Sequence, residues 1–449
     1  MSETLRQGES LRKGWCPGAL SPMLSGDGYL VRLRLTNGVL LFERAHALAN
    51  LARRFGNGLF DLSARANLQM RGIGADSLAP LQAELAALGL LDSDPRAEAV
   101  RNVTPSPLAG FDSTAVLDAG PLVEALEHLL TREATLHDLP PKFGFSVDGG
   151  GRLPLQGVEA DIGFCALASS EGPRLEVKLG GVTVGSIEPN ALCAVAETLA
   201  RNFIRLRGPD RRMAALVARI GASALLEGLD LAVIARSFLD EAIEKPQAGS
   251  GLLRSARNDA AEIGAKNILG AQNCGDGAFV GAGLLFGRID ADALQAFAKE
   301  AQSLGGAELR LTPWRAILSV GLTTPNAEKL AGRAAALGFL LDADDARLVF
   351  AACPGAPACS SAYADVRGLA LRLAVHWSAA AGRVHVSGCA KGCAYPAPAL
   401  TIVAGKDGFA LVENGRAGDE PLEQRLDVAA LEQNLKRYRQ KQHRPGVFA

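Results

Sequence analysis

Apolar and polar positions alternate along Tyr29-Leu-Val-Arg-Leu-Arg-Leu35, and short β-like runs follow at Leu59-Phe-Asp-Leu62 and Leu68-Gln-Met-Arg71. The pattern then switches to helical spacing over Asp76–Leu88. A second series carries the same signals: β-like runs at Ala282-Gly-Leu-Leu-Phe286 and Glu308-Leu-Arg-Leu-Thr312, then a helical stretch over Asn326–Leu337 that closes at Gly338. Each series describes a small α+β unit followed by a longer α/β stretch.

Sliding the chain on itself by 249 residues matches Leu62–Gly110 to Leu311–Cys359 without a gap, with 12 of 49 positions identical. Chance matching of Ala, Leu and Gly is the competing explanation. A single offset held across strand-like, helix-like and loop-like segments favours duplication. The expected organisation is a half domain over 10–90, an α/β domain over 91–241, a linker over 242–257 rich in Gly, Ser and Pro, a second half domain over 258–340 and a second α/β domain over 341–449. The charge run Lys436–Arg444 reads as a solvated helix face.

Composition narrows the function classes. With 47 Lys+Arg against 48 Asp+Glu the net charge is -1, so no overall positive field exists to hold nucleic acid or an anionic membrane, and an anion site must be a local cluster. Aromatic residues make up only 5%, which argues against stacking platforms for single strands. No run of about 18 apolar residues appears and Met1–Lys13 has no apolar stretch of a signal, so a cytoplasmic protein without a membrane span is expected. In that reducing setting cysteines serve as ligands more than as disulfides.

Four of the eight cysteines stand alone, at Cys16, Cys165, Cys193 and Cys274. The others form two pairs, Cys353-Pro-Gly-Ala-Pro-Ala-Cys359 and Cys389-Ala-Lys-Gly-Cys393. Four thiolates are what a [4Fe–4S] cluster needs, and the Pro, Gly and Ala between the first pair let backbone amides and a flat ligand approach the sulfurs. Structural zinc and plain buried thiols are the alternatives; the five-residue gap is wide for a zinc knuckle. At the 249 offset Cys353 falls on Thr104 and Cys359 on Gly110, and the glycine loop after Phe145 has no cysteine, so the quartet belongs to one copy and one cluster per chain is expected.

The first copy carries the complementary feature. Read as a strand, Arg65-Ala-Asn-Leu-Gln-Met-Arg71 puts Arg65, Asn67, Gln69 and Arg71 on one face, with guanidinium forks suited to carboxylates. An exposed sheet edge would give the same polarity. The corresponding face of the second copy, Trp314, Ala316, Leu318 and Val320, is apolar, so this surface can be buried. Arg101, Asn102, Lys142 and Arg152 add polar and basic groups near the equivalent loops. If the copies pack about a pseudo-two-fold axis, a polyanion site and a cluster meet in one cleft.

Taken together, Arg65-Ala-Asn-Leu-Gln, Arg101-Asn-Val, Leu139-Pro-Pro-Lys-Phe143 and the cysteine quartet resemble the duplicated sulfite/nitrite reductase superfamily over nearly the whole chain. The resemblance implies an α+β fold with two ferredoxin-like half domains and two larger α/β domains related by pseudo-two-fold symmetry. It implies a [4Fe–4S] cluster on Cys353, Cys359, Cys389 and Cys393, with Cys393 at the position that bridges to sirohaem iron in the reductases. Arg65, Arg101 and Lys142 then fall at anion-binding positions. The reductases have a second lysine where this chain has Gly144, which weakens a small-dianion site, and Leu309-Arg-Leu-Thr-Pro-Trp-Arg315 is similar to the precorrin-3B synthases, the cobalamin-pathway branch.

That branch implies precorrin-3A and O2 as substrates, hydroxylation at C20 with closure of a ring-A γ-lactone, an external electron donor, and a mononuclear non-haem iron beside the cluster. Substrate carboxylates would be held by Arg65, Asn67, Gln69, Arg71, Arg101, Asn102 and Lys142. His385, on a β-patterned run, reads either as a packed histidine or as an iron ligand. A sirohaem-dependent sulfite or nitrite reductase is the alternative, and a non-catalytic metal-stabilised scaffold the third reading.

Overall fold

The computed structural model describes residues 16–229, 268–395 and 397–442; the expected linker 242–257 and the opening segment Met1–Lys13 lie outside the described residues. The alternating stretches form four five-stranded sheets. The first, antiparallel throughout, runs β1 (Met23–Ser25), β2 (Gly28–Leu33), β5 (Leu68–Ile73), β4 (Leu59–Leu62), β13 (Arg288–Asp290). The second runs β11 (Gly270–Cys274), β12 (Gly277–Gly283), β15 (Ala316–Leu322), β14 (Glu308–Leu311), β3 (Val39–Leu40).

These two sheets exchange edge strands. β3 of the first copy pairs with β14, and β13 of the second pairs with β4. Helices α1 (Phe42–Phe55), α2 (Leu78–Ala87), α7 (Ala291–Ser303) and α8 (Thr324–Ala336) cover them. One core contains Leu33, Phe60, Leu68 and Met70 together with Val280, Phe297, Leu309 and Ile317. The half domains therefore bury their apolar faces jointly, and neither closes its core alone.

Backbone strain repeats with the sequence. Asn37 (φ 56) and Phe286 (φ 54) stand 249 residues apart, as do Ala66 (φ 55) and Arg315 (φ 59). A left-handed non-glycine residue is uncommon. Two such pairs at one offset carry the duplication into three dimensions.

Each larger unit is a mixed sheet. The first is β6 (Val103–Pro105), β7 (Phe145–Asp148), β8 (Ile162–Leu167), β9 (Arg174–Leu179) and β10 (Val182–Ile187), packed with α3 (Pro95–Val100), α4 (Gly120–Arg132), α5 (Leu192–Leu206) and α6 (Met213–Ile220). The second is β16 (Phe350–Ala352), β17 (Val384–Ser387), β18 (Ala399–Gly405), β19 (Gly408–Gly415) and β20 (Glu423–Leu426), with α9 (Val366–Ala374) and α10 (Val428–Gln442). In both, the first three strands are parallel, the first crossover running through a helix and the second through a loop, which leaves the loops after two neighbouring strands side by side at one sheet end. On α10, Lys436, Arg437 and Arg439 are exposed while Leu431 and Leu435 are buried, as a solvated face requires.

Two expectations need correction. The uninterrupted strand Arg65–Arg71 begins only at Leu68, because Ser63–Asn67 is the β4–β5 turn: Ser63 Oγ accepts from the amides of Arg65 and Asn67, and Ala66 is left-handed. The repeat also changes register, since β16 begins 247 residues after β6 and β17 begins 239 after β7. Cys353 thus stands opposite Ser106 and not Thr104. Each donates its amide to the neighbouring strand, to Val386 O and Val147 O, and each side chain accepts from a glycine amide, Gly388 N at 3.2 Å and Gly149 N at 2.9 Å. Among the described residues no helix is long and apolar enough to cross a membrane.

Candidate functional site

The two cysteine pairs follow β16 and β17, so the parallel pairing of those strands brings distant sequence together. Cys353 is buried, Cys359 and Cys389 are half-buried and Cys393 is exposed. Burial, and then the charges of Cys389, Cys353 and Cys359, hold the Cys393 thiol above its ordinary range, which places all four in one electrostatic neighbourhood. A Cβ on Gly388 would stand 3.4 Å from Cys353 Sγ, so the backbone runs close beside the sulfur. Around one zinc with Zn–S bonds of ~2.3 Å, sulfurs close to about 3.8 Å. Among the described residues no group of three or more His, Cys, Asp or Glu is gathered for a single metal ion. Four soft donors in one electrostatic neighbourhood suit a multi-iron cluster.

Sheet one presents its polar face to this loop. Registered pairs set Arg32, Gln69, Asp61 and Arg288 in a row across four strands. Gln69 Oε1 accepts from Arg32 Nε and Nη2, and Asp61 accepts from Arg288 at 2.8 and 3.1 Å, Arg71 at 3.2 Å and Arg367 at 3.3 Å. Arg367 lies in the first turn of α9, just past the first cysteine pair. Burial would raise the Asp61 carboxyl, but Arg288, Arg367 and Arg71 outweigh it and hold it below the usual range. Burial pushes Arg367 down to about 10 despite Asp61, with Arg288 and Arg71 adding to the fall. Arg315 is likewise lowered by burial and by Arg383 despite Asp61, and among the described residues no carboxylate is bonded to it. Guanidinium groups thus outnumber carboxylates on this wall, and an anionic ligand would relieve it.

At the other end of β5, Arg65 donates to Lys142 O, and burial, with Arg212 and Arg32 nearby, lowers its pKa. Lys142 is exposed, and Arg65 and Gln69 are half-buried. The exposure of Lys142 and the partial exposure of Arg65 leave both accessible to an anion. β5, from Leu68 to Ile73, spans about 17 Å at ~3.3 Å per residue, so the wall is long enough for a ligand with several acids.

Three predicted ligand residues are engaged elsewhere. Arg71 is buried and bonded to Asp27, Asp61, Ser25 and Ala358. Arg101 forks onto Asp92 at 2.8 and 2.9 Å, pairs with Glu127 and donates to Arg34 O. Asn102 is buried, and its amide serves Ala99, Pro141 and Phe143 carbonyls. Such groups find partners because a buried polar atom left alone is costly. Asn67 is buried in the hairpin turn. Arg152, on the second copy's side, bonds Gln272.

His385 is fully buried, neither nitrogen has a partner among the described residues, and burial pushes it to about 4, so it is neutral near pH 7. Its ring packs edge-on to Tyr395. Among the described residues no second His or carboxylate is gathered with it for an iron, which favours the packed reading. Arg32, Arg288, Arg315 and Arg367 escaped the sequence reading because strand exchange and the helix turn after the cysteine loop, not sequence proximity, bring them to the wall.

The twin of this site has an apolar wall. Ala316, Leu318, Val320 and Trp314 pack with Leu108, Leu153 and Phe111 of the first copy. The first copy's loop after β6 borders a cavity of about 530 Å³ lined by Ser106, Gly149, Asp118, Cys274 and Asp276, with no thiol quartet.

Comparison with known proteins follows the same lines. The model of the nitrite/sulfite reductase ferredoxin-like half domain matches residues 21–88 and 271–337, and that of the nitrite and sulphite reductase 4Fe-4S domain matches 96–233, the copy without the quartet. A precorrin-3B synthase from Sinorhizobium sp is 33% identical over 92% of this chain and 85% of its own length. A ferredoxin–nitrite reductase from Synechococcus elongatus is 24% identical over 82% of this chain and 74% of its own. The solved structure of Mycobacterium tuberculosis NirA protein superposes with a TM-score of 0.68 at 19% identity, covering 94% of this chain and 82% of that one, which bears on the fold.

Proposed function

The chain belongs to the nitrite and sulfite reductase superfamily, in which it stands beside precorrin-3B synthase, and from that premise we propose that it hydroxylates a polycarboxylate tetrapyrrole, precorrin-3A, with O2. The observation that carries the reading is the juxtaposition of four neighbouring thiols with a wall of arginines in excess of carboxylates, while Gly144 stands where the resemblance to the reductases implies a lysine. Gly144 is not sterically required: its amide donates to Asp161, and an added Cβ would meet only Asn102 O at 3.6 Å. A grip on many carboxylates with a weakened grip on one small dianion suits the macrocycle as substrate.

Cys353, Cys359, Cys389 and Cys393 hold the [4Fe–4S] cluster, which when bound supplies electrons one at a time. Arg65, Arg32 and Lys142 bind acetate and propionate arms at one end of the wall, and Arg315 and Arg367 at the other, each charge-assisted contact also fixing the ring's orientation. Gln69 and Asp61 hold Arg32 and Arg288 in place. In the balance, one oxygen atom enters the tetrapyrrole at C20, the ring-A acetate closes to the γ-lactone, and the other oxygen leaves as water with two electrons and two protons from an external donor. A mononuclear iron is compatible with this chemistry, but the described residues offer it no evident ligand set.

The second reading, a sirohaem-dependent sulfite or nitrite reductase, is favoured by the reductase relatives. A visible spectrum of anaerobically purified protein separates the two. A broad shoulder near 400 nm without macrocycle bands supports the hydroxylase. Sharp sirohaem bands together with sulfide or ammonia formation would transfer the case to the reductase.

A further inference from the structure

The carbonyl of Ala358, the residue before Cys359, receives three donors from the other copy: Ser25 Oγ at 2.7 Å, Arg71 Nη2 at 3.1 Å and Gly26 N at 3.3 Å. The approach is close. A Cβ on Gly26 would fall 2.3 Å from Pro357 O and 3.1 Å from Cys359 N. Arg71 is anchored from behind, by Asp27 through Nε and Nη2 at 2.9 and 2.7 Å and by Asp61 through Nη1, and its side chain is only 3% exposed.

The duplicated interface supplies the control. Ser25, Gly26 and Asp27 correspond at the 249 offset to Cys274, Gly275 and Asp276, and Ala358 corresponds to Phe111 in the register of β6 and β16. There too the hairpin bonds the loop, Cys274 Sγ donating to Phe111 O at 3.4 Å. The hairpin contact is therefore a property of the fold. The arginine is not, because the position equivalent to Arg71 is Val320, packed in an apolar cluster. The cation occurs where the loop carries cysteines and is replaced by a hydrocarbon where it does not.

We propose that Arg71 is a cross-copy positioning residue for the iron–sulfur site: it fixes the depth of the Cys353–Cys359 loop and brings a buried positive charge to the peptide that bears Cys359. The inference rests on the quartet's being the cluster ligands. A cation near a cluster favours its reduced, more negative state, and a hydrogen-bonded ligand loop resists release of iron. The side chain does this through the Ala358 carbonyl and touches no sulfur.

The test uses the full-length protein purified anaerobically, with iron content, an EPR-monitored redox titration and the rate of cluster loss in chelator as readouts. Arg71→Met is expected to move the midpoint potential to a more negative value and to speed cluster loss about ten-fold, the factor worth 1.4 kcal/mol. Arg71→Lys, which keeps the charge and loses the fork, should restore the potential but only part of the retention. Ser25→Ala removes the shortest bond and should speed loss with little change in potential, so it decides the clamp even if Arg71→Met fails to fold, and Arg71→Lys decides the charge. An unaltered potential and loss rate in Arg71→Met, or unaltered loss in Ser25→Ala together with a potential in Arg71→Lys as low as in Met, overturns the proposal. Wild-type protein without a cluster, or a cluster that survives Cys389→Ser, sinks the ligand assignment instead.

Discussion

At the scale of single residues, the quartet and its surroundings divide into groups that bind and groups that hold. Cys389→Ser is expected to strip most iron from a protein that otherwise carries about four per chain, while Cys193→Ser should leave it intact; iron analysis of both decides. Among the described residues Arg65 bonds a carbonyl and no carboxylate, so it is available to an acid. Arg65→Ala should raise the substrate KM by roughly 10- to 150-fold, the equivalent of about 1.5–3 kcal/mol, and leave the cluster spectrum unchanged. The cysteine spacing was legible because it needs no tertiary knowledge. Arg71 and Arg101 were read as ligands because a sequence shows a guanidinium but not Asp61, Asp92 or Glu127 already bound to it.

At the scale of elements, the row Arg32, Gln69, Asp61, Arg288 ties three strands of one copy to a strand of the other. Asp61 is its hinge. Because its folded pKa lies below the unfolded value of about 3.9, its contribution to stability is present above that pH and is lost as pH falls through the folded value. Asp61→Asn should cost roughly 3–5 kcal/mol at pH 7, since three arginines lose their carboxylate, and the gap to wild type should narrow below about pH 4. Urea unfolding at pH 7, 5 and 3 checks this; a gap independent of pH would contradict it. Helices α2 and α8 and strands β2, β4, β5, β14 and β17 were legible from periodicity, whereas the exchange of β3 and β13 was not, because two or three residues pairing with the other copy leave no periodic signal. The strand expected from Arg65 failed for a local reason, the Ser63 turn.

At the scale of the whole molecule, duplication builds two equivalent clefts and specialises them. One has thiols facing arginines; the other is walled by Trp314, Leu318 and Val320 packed with Leu108 and Phe111. The apolar face of the second copy was visible in the sequence, and its burial is what an internal twin of the polar face implied. The account therefore expects one cluster and one tetrapyrrole per chain, with the macrocycle as substrate. The most direct measurement is mass spectrometry of precorrin-3A after incubation with reduced, cluster-replete protein under ¹⁸O2, with sulfite and nitrite reduction assayed in parallel. One ¹⁸O atom in the product, with no sulfide or ammonia formed, is the predicted result; unlabelled tetrapyrrole beside brisk sulfite or nitrite reduction would contradict it.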